Sequence, residues 1–206
     1  MRLLYGTENT AKIRHMKNML EGLIIEIIGP GDINIKVCNL DESGNSLVEN
    51  AKIKALAYYN AAKMPVFSCD SGLYIDGIAD EIQPGVHVRR VNGKVLYDEE
   101  MIEYYSNLAL KHGGELKARY WNAIELVLDH ENIITYDGDD ISSVEFLIGS
   151  KPHPKRNPGF PLDSVSLEIE SKRYYMDIQS NRSDSDCKPA QGFRKFFTGI
   201  LERIND

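Results

Sequence analysis

The sequence predicts an α/β fold built on a mixed β-sheet flanked by helices. Three observations carry this. Strand-like and helix-like segments alternate through the first part of the 206 residues, two strand-like runs in the middle are spaced as a hairpin, and the chain closes on an amphipathic helix. No internal repeat or low-complexity stretch divides the chain, so one domain over 1–206 is expected.

Each element follows from its residues. Arg2–Gly6 reads as a short buried strand, and Thr10–Glu21 carries Ile13, Met16 and Leu20 at helical spacing, with Gly22 suited to end the helix. Leu23–Ile28 is rich in strand formers and stops at Gly29-Pro30-Gly31. Ile33–Val37 alternates as a strand does. Ser46–Lys63 reads as a long helix with the stripe Leu47, Ala51, Ala55, Tyr58 and Ala62, and Ser46 with Glu49 spells a capping box. Pro65–Ser68 reads as a short strand leading into Cys69-Asp70-Ser71-Gly72. Residues 98–112 are helical in pattern, with Asp98, Glu99 and Glu100 placed where a helix dipole favours acids; they read as a solvated helix start. Lys117–Leu128 and Ile133–Tyr136 form the hairpin pair, and Ser143–Ile148 is a further strand. The stretch 149–164 is rich in Pro and Gly and reads as a functional loop, Ser166–Ile178 is strand-like, and Gly192–Ile204 is the closing helix with Phe193, Phe196, Phe197, Ile200 and Leu201.

Composition narrows the partners. The chain is 42% hydrophobic and 27% charged with a formal net charge of −7. That balance argues against a nonspecific binder of polymeric nucleic acid or of an anionic membrane, while leaving room for a small polyanion held by local cations and a metal. No apolar run reaches the length of a membrane span, and Lys12, Arg14 and Lys17 interrupt any secretory h-region in residues 1–20. Cys38, Cys69 and Cys187 are odd in number and lack a CxxC, so reduced thiols in a cytoplasmic setting are expected.

Four segments could carry chemistry. Gly6-Thr-Glu-Asn-Thr-Ala-Lys12 joins a strand to a helix, where backbone N–H groups and a Lys attract phosphate. It approaches a Walker A loop, but Ala11 and Ile13 replace the second Gly and the Ser/Thr; a simple capped helix start is the competing reading. Asp41–Lys54 offers Glu42 and Glu49, carboxylates suited to a hard cation, together with Lys54; solvated charges around a capping box are the alternative. Asp70-Ser71-Gly72 follows a short strand, where α/β sheets present ligands, or it is an Asx turn. Arg156–Asp163 sets a cation, an aromatic and an acid on one loop, and Phe160 could stack on a base or anchor the loop on the core. The five histidines lack metal-ligand spacing, and Cys69 has no His placed to activate it, so a buried thiol is expected.

Taken in order, these segments resemble the inosine triphosphate pyrophosphatase family over essentially the whole chain. Thr7-Glu-Asn-Thr-Ala-Lys12 is similar to the family's Thr-Gly-Asn-x-x-Lys. Glu42-Ser-Gly with Glu49-Asn-Ala-Lys-Ile-Lys-Ala55 is similar to Glu-Thr-Gly…Glu-Asn-Ala-x-x-Lys-Ala, and Asp70-Ser-Gly-Leu-Tyr-Ile-Asp76 to Asp-Ser-Gly-Leu-x-Val-Asp. Pro84–Arg90, Gly159–Asp163 and Ser180-Asn-Arg182 stand where the family has Pro-Gly-Val-Tyr-Ser-Ala-Arg, Gly-Phe-Gly-Tyr-Asp and Ser-His-Arg.

The resemblance implies an elongated mixed α/β fold with two lobes around a central cleft, a homodimer, and Mg²⁺-dependent cleavage of noncanonical purine nucleoside triphosphates (ITP, dITP, XTP) to the monophosphate and pyrophosphate. It implies Glu42, Asp70 and Glu49 as metal ligands, with Asp70 also as catalytic base. Thr7, Asn9, Lys12, Lys54 and Ser71 would then contact phosphate, and Phe160, Asp163 and Arg182 would complete substrate binding. Departures fall at Glu8, His15, Cys69, Pro161-Leu162, Met176 and Asn181, several of them on the base side. They open a second reading: a diverged nucleotide-binding protein with altered base specificity or little hydrolytic activity.

Overall fold

The computed structural model describes residues 1–38, 40, 44–178 and 187–205. In chain order the strands are β1 (Arg2–Tyr5), β2 (Glu26–Ile28), β3 (Val66–Ile75), β4 (Arg90–Val91), β5 (Lys94–Val95), β6 (Glu115–Val127), β7 (Ile133–Tyr136), β8 (Phe146–Gly149) and β9 (Ser166–Leu167). The helices are α1 (Thr10–Met19), α2 (Leu47–Ala62), α3 (Asp98–Lys111), α4 (Tyr175–Ile178) and α5 (Lys188–Asn205). Hydrogen bonding orders the main strands β2-β1-β3-β6-β8-β9, with β7 on β6. β1 pairs in parallel with β2 and β3, whereas β7 and β8 pair antiparallel with β6, which makes the sheet mixed as expected. The chain resolves into two compact units, and β3 and β6 each contribute residues to both.

The first unit contains 1–71, 121–142 and α5. Its strands alternate, so each face of the sheet needs its own cover. Leu3, Tyr5 and Phe67 face Met16 and Met19 of α1 and Phe193, Phe197 and Ile200 of α5. Leu4, Val66 and Val127 face Ala55, Tyr58 and Tyr59 of α2. Tyr5 stacks on Phe67 with ring centroids 4.5 Å apart, and Phe67 meets Phe197 edge-on. The second unit contains 72–120 and the stretch from Ser143 through Ile178. Its core joins Met101, Ile102, Tyr105 and Leu108 of α3 to Leu73, Leu116, Phe146 and Ile148 on the strands, with Leu162 and Val165 from the loop side.

Three expectations are corrected. Ile33–Val37 is not a strand: Pro30–Ile33 forms a 3-10 turn closed by Asp32, which accepts the Gly29 N–H at 2.8 Å, and Asn34 takes a left-handed φ of 55°. Its alternation instead reflects half-burial, with Ile33 and Val37 packed on the α2 side. Ser166–Ile178 keeps only the two residues of β9 as strand; Lys172 turns at φ 56°, and a single helical turn follows at α4. Pro65–Ser68 is not a short strand ending before Asp70 but the start of the ten-residue β3, which runs through Asp70-Ser71-Gly72. The Asx-turn reading of Asp70 therefore falls, because its backbone is spent in a sheet. No helix among the described residues is long and apolar enough to cross a membrane.

Candidate functional site

The first unit gathers most of the expected residues around β1, α1, α2 and β3. Gly6 follows β1 where the chain passes tightly over α2 and β3: a Cβ there would lie 2.4 Å from Ser68 Oγ and 2.9 Å from the Tyr58 ring. Ser68 Oγ donates to the Gly6 carbonyl at 3.0 Å, fixing that approach. Asn9 then caps α1, its Oδ1 accepting the N–H groups of Ala11 and Lys12 at 2.9 and 3.1 Å, while Thr7 Oγ1 accepts the Asn9 N–H at 3.2 Å. The capped-helix reading of this segment is thus correct for Thr7 and Asn9. The same cap fixes the point from which Lys12, half-buried in the first turn, projects.

Lys54 lies on the buried stripe of α2 with Asn50, Ala51, Ala55, Tyr58 and Tyr59, and is only 9% exposed. The reading of its charge as solvated is therefore wrong. Its ammonium donates to Asp70 Oδ1 on β3, and the carboxylate is itself 8% exposed. Asp70 Oδ2 is buried with no hydrogen-bond partner among the described residues. Two charges taken out of water are sustained only when well paired, so a buried carboxylate oxygen left without a donor marks a position built for something more than stability. Ser71, next along β3, is half-exposed. Burial pushes the Cys69 thiol up to about 11; the positive charges of Lys12 and Lys54 oppose that rise, and the Asp70 charge adds to it. Burial also raises the Tyr5 phenol well above its ordinary value, helped by Cys69 and Asp70.

Glu49 is exposed in the first turn of α2. Its Oε2 accepts the Asn45 N–H at 2.8 Å, and its own N–H donates to Ser46 Oγ at 3.1 Å. The capping box is half formed, because the carboxylate reaches Asn45 and not Ser46. Glu42 and Arg182, like Asn181, lie outside the described residues. Among the described residues no three His, Cys, Asp or Glu side chains cluster to hold a metal. Sequence reasoning missed Asn50, which is 3% exposed with an Oδ1 that has no partner among the described residues. Its signal was its place four residues before Lys54 on one helical stripe. Gly44 lies against it: a Cβ there would come 2.5 Å from Asn50 Oδ1.

The second unit holds Phe160 and Asp163. Asn157-Pro158-Gly159-Phe160 closes a turn in which the Phe160 N–H donates to the Asn157 carbonyl at 2.9 Å and Gly159 takes φ 88°. Proline second and a positive-φ glycine third are the residues a type II turn demands. Phe160 is half-buried and begins the 3-10 turn Pro161–Ser164, whose Leu162 is the core anchor. Asp163 Oδ2 accepts the Asn157 Nδ2 at 2.7 Å. Arg156, which sequence reasoning offered as a cation for a ligand, is engaged by Glu99, whose hydrogen bond raises its already high pKa.

A model of the Ham1 family matches residues 3–156, about three-quarters of the chain. The chain belongs to the Ham1 family. Among curated relatives, this Ham1 chain is 36% identical over 183 residues to the dITP/XTP pyrophosphatase of Leptospira interrogans, an alignment covering 89% of this chain and 88% of that protein. It is 24% identical over the full length of both chains to the dITP/XTP pyrophosphatase of Thermoanaerobacter pseudethanolicus. In structure it is similar to a HAM1 protein from Coxiella burnetii, with a TM-score of 0.73 at 23% identity over 98% of this chain and 99% of that one. It is also similar to the Ham1 protein of Staphylococcus aureus, with a TM-score of 0.68 at 20% identity, covering 97% and 100% of the two chains. The Ham1 fold is thus the mixed α/β fold expected from the sequence.

Proposed function

We propose that this Ham1 protein is a Mg²⁺-dependent nucleoside triphosphate pyrophosphohydrolase that cleaves noncanonical purine nucleotides such as ITP, dITP and XTP to the monophosphate and pyrophosphate. One observation carries the reading: a buried Lys54–Asp70 pair, with one Asp70 oxygen left over, in a family whose curated relatives bear the name dITP/XTP pyrophosphatase. The single-domain reading of 1–206, a cytoplasmic setting and a homodimer are parts of the same proposal.

The donor chemistry fits a hard cation, since Asp70 Oδ2 is a buried carboxylate oxygen in want of a partner. Asp70, Glu49 and Glu42 would hold Mg²⁺, which supplies charge neutralisation for the triphosphate and lowers the pKa of water. Lys12 and Lys54 serve as point charges for phosphate oxygens. Thr7, Asn9 and Ser71 would add short polar groups to the phosphate site. Asp70 also serves as the base that accepts the proton of the attacking water. Phe160 would stack on the base, and Asp163 and Arg182 would complete substrate binding.

A panel of ITP, dITP, XTP and the four ordinary triphosphates, assayed for pyrophosphate, tests this. Faster release from the noncanonical purines supports the proposal. Binding of the same nucleotides with no pyrophosphate under any divalent metal supports the second reading, a diverged nucleotide-binding protein, which Glu8 in the phosphate loop and Met176 on the base side favour.

A further inference from the structure

The acidic start of α3 is solvent-exposed, as its sequence suggests, yet its acids are also engaged by partners distant in sequence. Asp98 Oδ1 accepts Arg89 Nη2 at 2.8 Å, and Oδ2 accepts the Gly159 N–H at 3.2 Å. Glu99 receives Arg156 at two points, Nε to Oε1 at 2.7 Å and Nη2 to Oε2 at 3.2 Å. Two successive acids of one helix thus grip the two ends of a single short stretch, Arg156–Gly159, and Phe160 follows directly.

The position of Gly159 gives the Asp98 contact its consequence. In a turn with proline second and glycine third, the third residue's N–H makes no bond inside the turn. An outside acceptor therefore fixes how the turn is tilted. Asn157 to Asp163 closes the loop from within and Leu162 anchors its far end in the core. Asp98 and Glu99 tie its near end to α3. Arg89, which also reaches the Leu96 carbonyl at 3.3 Å, holds the Asp98 carboxylate in the orientation that meets Gly159. The Asp98 side chain is about two-fifths exposed, so losing it loosens the turn without unfolding the unit.

We infer that Asp98 is a positioning residue for nucleotide recognition: it sets the turn that presents Phe160 and so governs affinity on the base side of the substrate. This rests on Phe160 being the base-stacking residue of the proposed function. Asp98 touches no reacting atom, so it acts on KM and leaves the chemical step alone.

The experiment measures kcat and KM for ITP in Asp98→Ala, Asp98→Glu, Phe160→Ala and the Asp98→Ala/Phe160→Ala double variant of the full chain. Inorganic tripolyphosphate serves as a base-free competitive inhibitor in each. Loss of a hydrogen-bonded positioning contact is expected to raise KM in Asp98→Ala about fivefold with kcat within about twofold. The tripolyphosphate Ki stays unchanged, Asp98→Glu recovers part of the KM, and the double variant shows no loss beyond Phe160→Ala alone. A raised KM in Phe160→Ala with an unchanged KM in Asp98→Ala overturns the clamp and leaves the stacking role standing. So does a tripolyphosphate Ki that rises with KM in Asp98→Ala, since that marks general structural damage. An unchanged KM in Phe160→Ala overturns the stacking role itself, and the clamp with it.

Discussion

At the scale of single residues, the buried Lys54–Asp70 pair bears on stability as well as on the proposed chemistry. Removing one partner of such a pair leaves a buried charge uncompensated, at a cost of about 3–5 kcal/mol. Lys54→Met is therefore expected to lower stability strongly in urea unfolding, while Lys54→Met/Asp70→Leu recovers much of the loss and has no activity. A double variant no more stable than the single one would contradict the account of the pair. Cys69 offers a second check. Its thiol is buried and raised to about 11, whereas Cys38 and Cys187 are exposed. At pH 8 a thiol reagent should modify Cys38 and Cys187 quickly and Cys69 only on unfolding. The stability that comes from keeping this thiol neutral is fully present below the ordinary value of 9.0 and is lost as pH rises through about 11, because the unfolded chain releases that proton first. Between pH 8 and pH 11, Cys69→Ala should accordingly lose less stability than the parent, on the order of 2 kcal/mol less. Equal losses in both would show that burial does not hold the thiol neutral.

At the scale of elements, α5 contains two glycines with opposite duties. A Cβ on Gly192 would sit 2.2 Å from the Asp140 carbonyl oxygen, a backbone atom of the 3-10 turn Asp139–Ile141 that cannot swing aside. A Cβ on Gly199 would meet nothing within 4 Å. Gly192→Ala should cost at least about 1–3 kcal/mol by overpacking. Gly199→Ala should gain about 0.5–1 kcal/mol by helix propensity, both read from thermal melts. A neutral Gly192→Ala would mean that α5 does not pack on that turn. The elements also show where sequence was and was not legible. α1, α2, α3 and α5 each have an apolar stripe and a recognisable start or stop, and each formed where expected within a few residues. Ile33–Val37 failed because alternation reports half-burial, and a strand needs a paired neighbour as well. β3 was read too short because Asp-Ser-Gly looks like a turn, whereas the buried Lys54 ammonium lets an aspartate stay inside a strand.

At the scale of the whole molecule, local pattern gave Asn9 its capping role and Cys69 its burial, but it did not show the partners of Lys54 and Arg156. Lys54 meets Asp70 sixteen residues on, and Arg156 meets Glu99 fifty-seven residues back. Spacing along one helix cannot show such pairs; the order of motifs along the chain compensated, and the Ham1 family match agrees with it. The net charge of −7, awkward for a phosphate ligand, includes acids with separate partners: Asp70 paired to Lys54, Asp98 and Glu99 gripping a loop, and Glu49 accepting the Asn45 N–H ahead of α2.

In the proposed function, Asp70 drives release of pyrophosphate. The most direct measurement is the product stoichiometry of ITP turnover with Mg²⁺ for the parent and for Asp70→Asn, with folding of both confirmed by circular dichroism. The account predicts one monophosphate and one pyrophosphate per ITP in the parent, and turnover reduced at least about a hundredfold in a folded Asp70→Asn. Inorganic phosphate with the diphosphate as products, or near-parental turnover in the variant, would contradict it.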